Sequence, residues 1–80
     1  NKIYHLHIYF KLITGESILK EFILPIEQLI LENKIKHNIL DVWIVNKKIN
    51  AYLFTIRHFI KCGSLLGRTI YRKQINSYKK

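Results

Sequence analysis

The stretch FIKCGSLLGRTIYRKQINSY, residues 59–78, decides how the rest of the chain is read. Phe59, Cys62, Leu66 and Ile70 recur at intervals of three and four, and Ile75 and Tyr78 continue the series, a spacing that gathers apolar side chains on one side of a helix. Lys61, Arg68, Arg72 and Lys79 follow at intervals that return, at about 100° per residue, to one line along that helix. Arg57, Lys73 and Lys80 widen this basic stripe. Gly63 and Gly67 lie inside the segment and each costs a helix about 1 kcal/mol relative to alanine, which predicts a kink or a frayed first turn. The segment reads as a helix that docks with one side and presents positive charge with the other.

Upstream, residues 42–45 and 49–56 are apolar and β-branched or aromatic, and Asn46, Lys47 and Lys48 separate them with turn-forming chemistry. They predict an antiparallel hairpin with two lysines at its tip. Pro25 has no amide hydrogen to donate and suits the first turn of a helix, which the spacing extends to residues 36–38 with Ile26, Leu29, Ile30 and Asn33 on one face. Leu31 and Ile35 flank that face, while Glu27, Gln28, Glu32 and Lys34 are expected to meet water. Residues 3–12 alternate strictly, with Tyr4, Leu6, Ile8, Phe10 and Leu12 on one side and Ile3, His5, His7, Tyr9 and Lys11 on the other, the signature of a half-buried strand. Thr14, Gly15 and Glu16 supply a turn, and Ser17 is placed to cap a short helical turn running to residue 24. The expected fold is one α+β domain over residues 1–80: a small antiparallel sheet of about three strands with two main helices on one face, in the order β-α-β-β-α.

Composition bounds the function. An apolar share of 49% provides enough surface for a core. The single Cys62 excludes an internal disulfide and a thiolate zinc cluster built from this chain alone. No run approaches the roughly 20 apolar residues that span a bilayer, so an intracellular, cytoplasmic protein is expected. The formal net charge is +9, and it is unevenly placed. Through Asp41, the bases Lys2, Lys11, Lys20, Lys34 and Lys36 are balanced by Glu16, Glu21, Glu27, Glu32 and Asp41. From Val42 onward Lys47, Lys48, Arg57, Lys61, Arg68, Arg72, Lys73, Lys79 and Lys80 stand with no carboxylate among them. Charged residues on an amphipathic helix usually form no more than its solvated face. A half-chain with no compensating acid instead favours a polyanionic partner, and these residues are the expected RNA contacts, lysine as a point charge and arginine bridging phosphate oxygens or stacking on a base.

The remaining candidates are weaker. His5 and His7 share the polar side of the first strand but lack a third placed metal ligand, so a solvent-facing or RNA-contacting pair is favoured. Trp43 is read as core, with base stacking as the alternative. Glu16 and Glu21 have no partner that suggests acid–base chemistry, and the three residues between Gly63 and Gly67 fit no phosphate-binding loop. No catalytic residue, metal or cofactor is expected.

With these elements in order, the chain resembles the eukaryote-specific large-subunit ribosomal protein twenty-two family. IEQLILENKIKHN (26–38) looks like that family's phenylalanine-glutamate-glutamine helix and its isoleucine-lysine-x-asparagine exit. VWIVNKKINAYLFTI (42–56) has the family's strand, lysine-bearing turn and strand. Phe59 with Lys61 is similar to the phenylalanine-x-lysine start of its basic helix, and Tyr71, Arg72 and Lys73 fall where the family has a tyrosine among lysines. The resemblance implies a structural constituent of the large ribosomal subunit, in the cytoplasm, that contacts rRNA and neighbouring ribosomal proteins, with Lys61, Arg72 and Lys73 as the contacts carried over by position. The rival expectations are a small basic ribonuclease toxin using His58 or His37, and a module that binds anionic membrane surfaces.

Overall fold

A computed structural model describes residues 2–9, 14–45 and 52–78. β1 (Ile3–Ile8) leads to a helical stretch made of α1 (Gly15–Ile18), a π-helical segment (Leu19–Ile23) and α2 (Leu24–Leu31). There follow β2 (Ile39–Ile44), the single turn α3 (Tyr52–Thr55), β3 (Ile60–Leu65) and β4 (Arg68–Gln74). The α+β class and the placement of helices on one face of a sheet agree with the reading of the sequence. The sheet has four strands rather than three, is mixed rather than antiparallel, and runs in the spatial order β1-β2-β4-β3.

The helical stretch starts earlier than expected and passes through Pro25. Thr14, not Ser17, is its cap: Thr14 is extended (φ −74°, ψ 155°) and its hydroxyl oxygen accepts the Ser17 amide hydrogen at 3.1 Å. In an unbroken α-helix the Pro25 ring would press on the carbonyl four residues back. The π-helical segment re-registers the ladder ahead of it, with the Leu24 amide donating to the Leu19 carbonyl. The stretch closes at Asn33, whose φ of 60° is the left-handed conformation that asparagine tolerates at a helix end.

The crossover through these helices brings β2 back parallel to β1, from Ile3 opposite Ile39 to Ile8 opposite Ile44. The expected hairpin of 42–45 with 49–56 is therefore corrected. β2 pairs on its other edge with β4, and Tyr52–Thr55 is helical, turning Phe54 into the core. Residues 46–51, which include the expected turn and the start of its second strand, lie outside the described residues.

The decisive stretch is not a helix. β3 and β4 form a tight hairpin with Leu65 opposite Arg68, and the connecting Leu66 and Gly67 both have positive φ, 51° and 77°. A two-residue hairpin turn of that hand matches the twist of the strands and favours glycine. The two glycines that count against a helix thus fit a hairpin, Gly67 at the turn and Gly63 beside a register shift between Lys61 and Gly63.

The core lies between the helices and one face of the sheet. Ile18, Ile23 and Ile30 meet Leu40, Val42 and Ile44 of β2 and Ile8 of β1, closed by Phe54, Phe59 and Ile75. Each such fully buried side chain contributes about 1.5–3 kcal/mol by leaving water. Phe54 stacks on Tyr71 with ring centroids 4.0 Å apart and planes 3° from parallel, which ties α3 to β4.

Candidate nucleic-acid interface

Side chains alternate across a strand, so the register sorts the sheet into two faces. Tyr4, Leu6, Ile8, Leu40, Val42, Ile44 and Tyr71 pack into the core. Their neighbours His5 and His7 of β1, Asp41 and Trp43 of β2, and Arg68, Ile70 and Arg72 of β4 share the opposite face, with Asp41 level with His5 and Arg72, and Trp43 level with His7 and Ile70. That face carries no helix among the described residues.

Rings and one guanidinium form a continuous row across it. His7 stacks on Trp43 (5.1 Å between centroids, planes 26° apart) and on Tyr9 (6.1 Å, 15°), and His5 meets Trp43 edge-on at 6.0 Å. The Arg68 guanidinium carbon lies 4.7 Å from the Tyr9 ring centroid, and Arg68 Nη1 is 3.1 Å from His7 Nδ1. A guanidinium only donates hydrogen bonds, so His7 Nδ1 accepts and Nε2 carries the ring hydrogen.

Asp41 is buried on this face; its Oδ1 accepts from Arg72 Nε (2.7 Å) and its Oδ2 from Arg72 Nη2 (2.8 Å), with His5 Nδ1 3.9 Å from the same Oδ2. The paired hydrogen bonds, and then the carboxylate's charge, hold the Arg72 guanidinium above its ordinary pKa. Arg72 is a clamp on Asp41 before it is a contact for anything else.

On the helix side, Glu27 is buried, which corrects the expectation that it faces water. Its Oε1 accepts Arg57 Nη2 and Lys73 Nζ, each at 2.9 Å, and Lys73 also sits 5.5 Å over the Phe59 ring. Arg57 and Lys73 are thus drawn toward the interior. Lys61 pairs in register with Tyr71 and so has the opposite parity to Arg68 and Arg72, which breaks the expected stripe. Lys61 is exposed at the outer strand. Lys47, Lys48, Lys79 and Lys80 lie outside the described residues.

Of the sequence candidates, the structure brings Arg68 and Arg72 together with His5 and His7, and sends Arg57 and Lys73 elsewhere. Tyr9, which the sequence reading does not single out, and Trp43, expected in the core with base stacking as the alternative, complete the row, so the core reading of Trp43 is corrected. The alternation in 3–12 already put His5, His7 and Tyr9 on one side, but only the pairing register adds Trp43 and Arg68. His37 meets Tyr4 edge-on at 5.7 Å, and His58 occupies an exposed turn at φ 65°. No group of three or more histidine, cysteine or carboxylate side chains is placed to hold a metal among the described residues, and among them no helix is long and apolar enough to cross a membrane. No protein-family model, curated protein or solved structure matches the chain.

Proposed function

We propose that the chain is an RNA-binding domain and that single-stranded RNA lies on the open face of its sheet. The observation that carries this reading is the Tyr9–His7–Trp43 row capped by Arg68. Unstacked bases are held by aromatic rings and guanidinium planes, and a sheet presents such groups in a fixed plane at strand spacing. Tyr9 is 57% exposed and offers its ring to an incoming base, while Arg68 is positioned for the adjoining phosphate. The surplus positive charge of the chain adds affinity that falls with salt.

Large-subunit rRNA is the RNA that the sequence resemblance puts first, with the domain as a structural constituent of the ribosome. Co-sedimentation with large subunits, lost in high salt, tests that assignment separately from RNA binding itself. For the binding face, Tyr9→Ala is expected to lower affinity for a short single-stranded RNA about tenfold, the value of one stacked base. Equal affinity of Tyr9→Ala and the parent chain, measured by fluorescence anisotropy, contradicts the reading.

A further inference from the structure

The β3–β4 turn combines two features that no contact among the described residues rewards. Leu66 is 89% exposed, and its backbone is left-handed at φ 51°, a conformation that an L side chain other than asparagine or aspartate rarely adopts. Asparagine there would be less strained and better solvated. Leu65 beside it is 52% exposed. Under the tip lies an open concavity of about 400 Å³, at the low end of the range of small-ligand sites. Its lining is mixed: Val45 and Leu66 are apolar, Ser64 and Thr69 carry hydroxyls, and Lys61 and Arg68 bring positive charge with no carboxylate.

The concavity lies around the sheet's end from the aromatic row: Lys61, Ser64 and Thr69 of its lining share the face of Ile44 and Tyr71, and Arg68 stands on the face of the row. Ile8, Ile44, Thr69 and Ser64 are level with one another across the sheet, so Tyr9 and Val45, each one residue further on, leave β1 and β2 at the same end as the turn. Arg68 belongs to both sites, with its guanidinium over Tyr9 and its residue in the wall of the concavity. An RNA strand running along the row arrives at the turn.

We infer that the turn is a wedge: Leu66 inserts between two successive bases of single-stranded RNA, and the nucleotide beyond it turns into the concavity beneath the tip. The inference rests on the RNA-binding reading and assigns it a second contact. Apolar wedges of this kind unstack a base step and let the strand wrap more protein surface. In the concavity the base meets Val45 and Leu66, the hydroxyls of Ser64 and Thr69 are within its walls for polar edges or the ribose, and Lys61 neutralises the phosphate.

Leu66→Asn separates this role from a structural one, because the two give opposite signs. The substitution relieves the turn, so the melting temperature rises or stays the same. Affinity for oligouridylate nonetheless falls about tenfold, and Leu66→Met retains the parent affinity. Tyr9→Ala, measured alongside, reports on the aromatic row. Loss of affinity in Tyr9→Ala with parent affinity in Leu66→Asn overturns the wedge and leaves the row standing. No RNA binding by the parent chain overturns both. Leu66-dependent binding to phosphatidylserine vesicles, with RNA affinity independent of Leu66, assigns the tip to a membrane and also overturns the inference.

Discussion

Two buried carboxylates organise the cations of this protein. Glu27 takes Arg57 and Lys73 on the helix side, and Asp41 takes Arg72 on the open face. Removing one partner of a buried ion pair leaves charge without compensation. Glu27→Gln is therefore expected to destabilise the domain by about 3 kcal/mol, toward the lower end for buried pairs because Arg57 is partly exposed, read from urea unfolding. Asp41→Asn gives a split result. It removes hydrogen bonds to a charged group worth about 2 kcal/mol of stability, yet it releases Arg72, which is 45% exposed, on the face where RNA is proposed to lie. Affinity should rise severalfold as stability falls, and a parallel fall of both contradicts the placement of Arg72 on the binding face.

At the scale of elements, the hairpin of β3 and β4 is the feature that sequence spacing reads as a helix. Phe59, Cys62, Leu66 and Ile70 match a helical period by coincidence, because the Leu66–Gly67 turn and the register shift between Lys61 and Gly63 displace the alternation of the two strands. Thr69 to Gln74 alternates as a strand does, with Tyr71 inward and Arg72 outward. The two glycines distinguish the structures experimentally. In a helix, Gly63→Ala and Gly67→Ala would each stabilise by about 1 kcal/mol. In the hairpin, Gly67→Ala destabilises by about 1 kcal/mol because alanine is strained at φ 77°, and Gly63→Ala is near neutral because its surroundings are open. Thermal unfolding followed by circular dichroism reads both signs. The alternation of β1 was legible over residues 3–8, since a half-buried strand writes its two faces directly into the sequence, while residues 10–12 of the expected strand lie outside the described residues. β2 was legible as apolar but not in its partners: a strand flanked on both edges and joined by a parallel crossover takes its register from residues far away in the chain.

For the molecule as a whole, folding draws part of the basic half back onto the neutral half among the described residues. Arg57, Lys73 and Arg72 of the basic half fold back onto Glu27 and Asp41 of the neutral half. Net charge is a property of composition and survives folding, so the expectation of a polyanionic partner rests on composition alone. The face proposed to meet it was not legible, because that depended on which cations the buried carboxylates hold. His5 and His7 were visible as a pair on one side of a strand, and the row they belong to exists only once β2 and β4 are laid beside them. Trp43, the only tryptophan of the chain, stands in the middle of that row, with its indole nitrogen buried and without a hydrogen-bond partner among the described residues. Titration of the ¹⁵N-labelled protein with oligouridylate, followed by NMR, tests the central claim most directly. The account predicts that the shifts concentrate at His5, His7, Tyr9, Trp43 and Arg68, led by the Trp43 indole signal. Shifts confined to the helical residues 15–31, with the Trp43 signal unmoved, would contradict it.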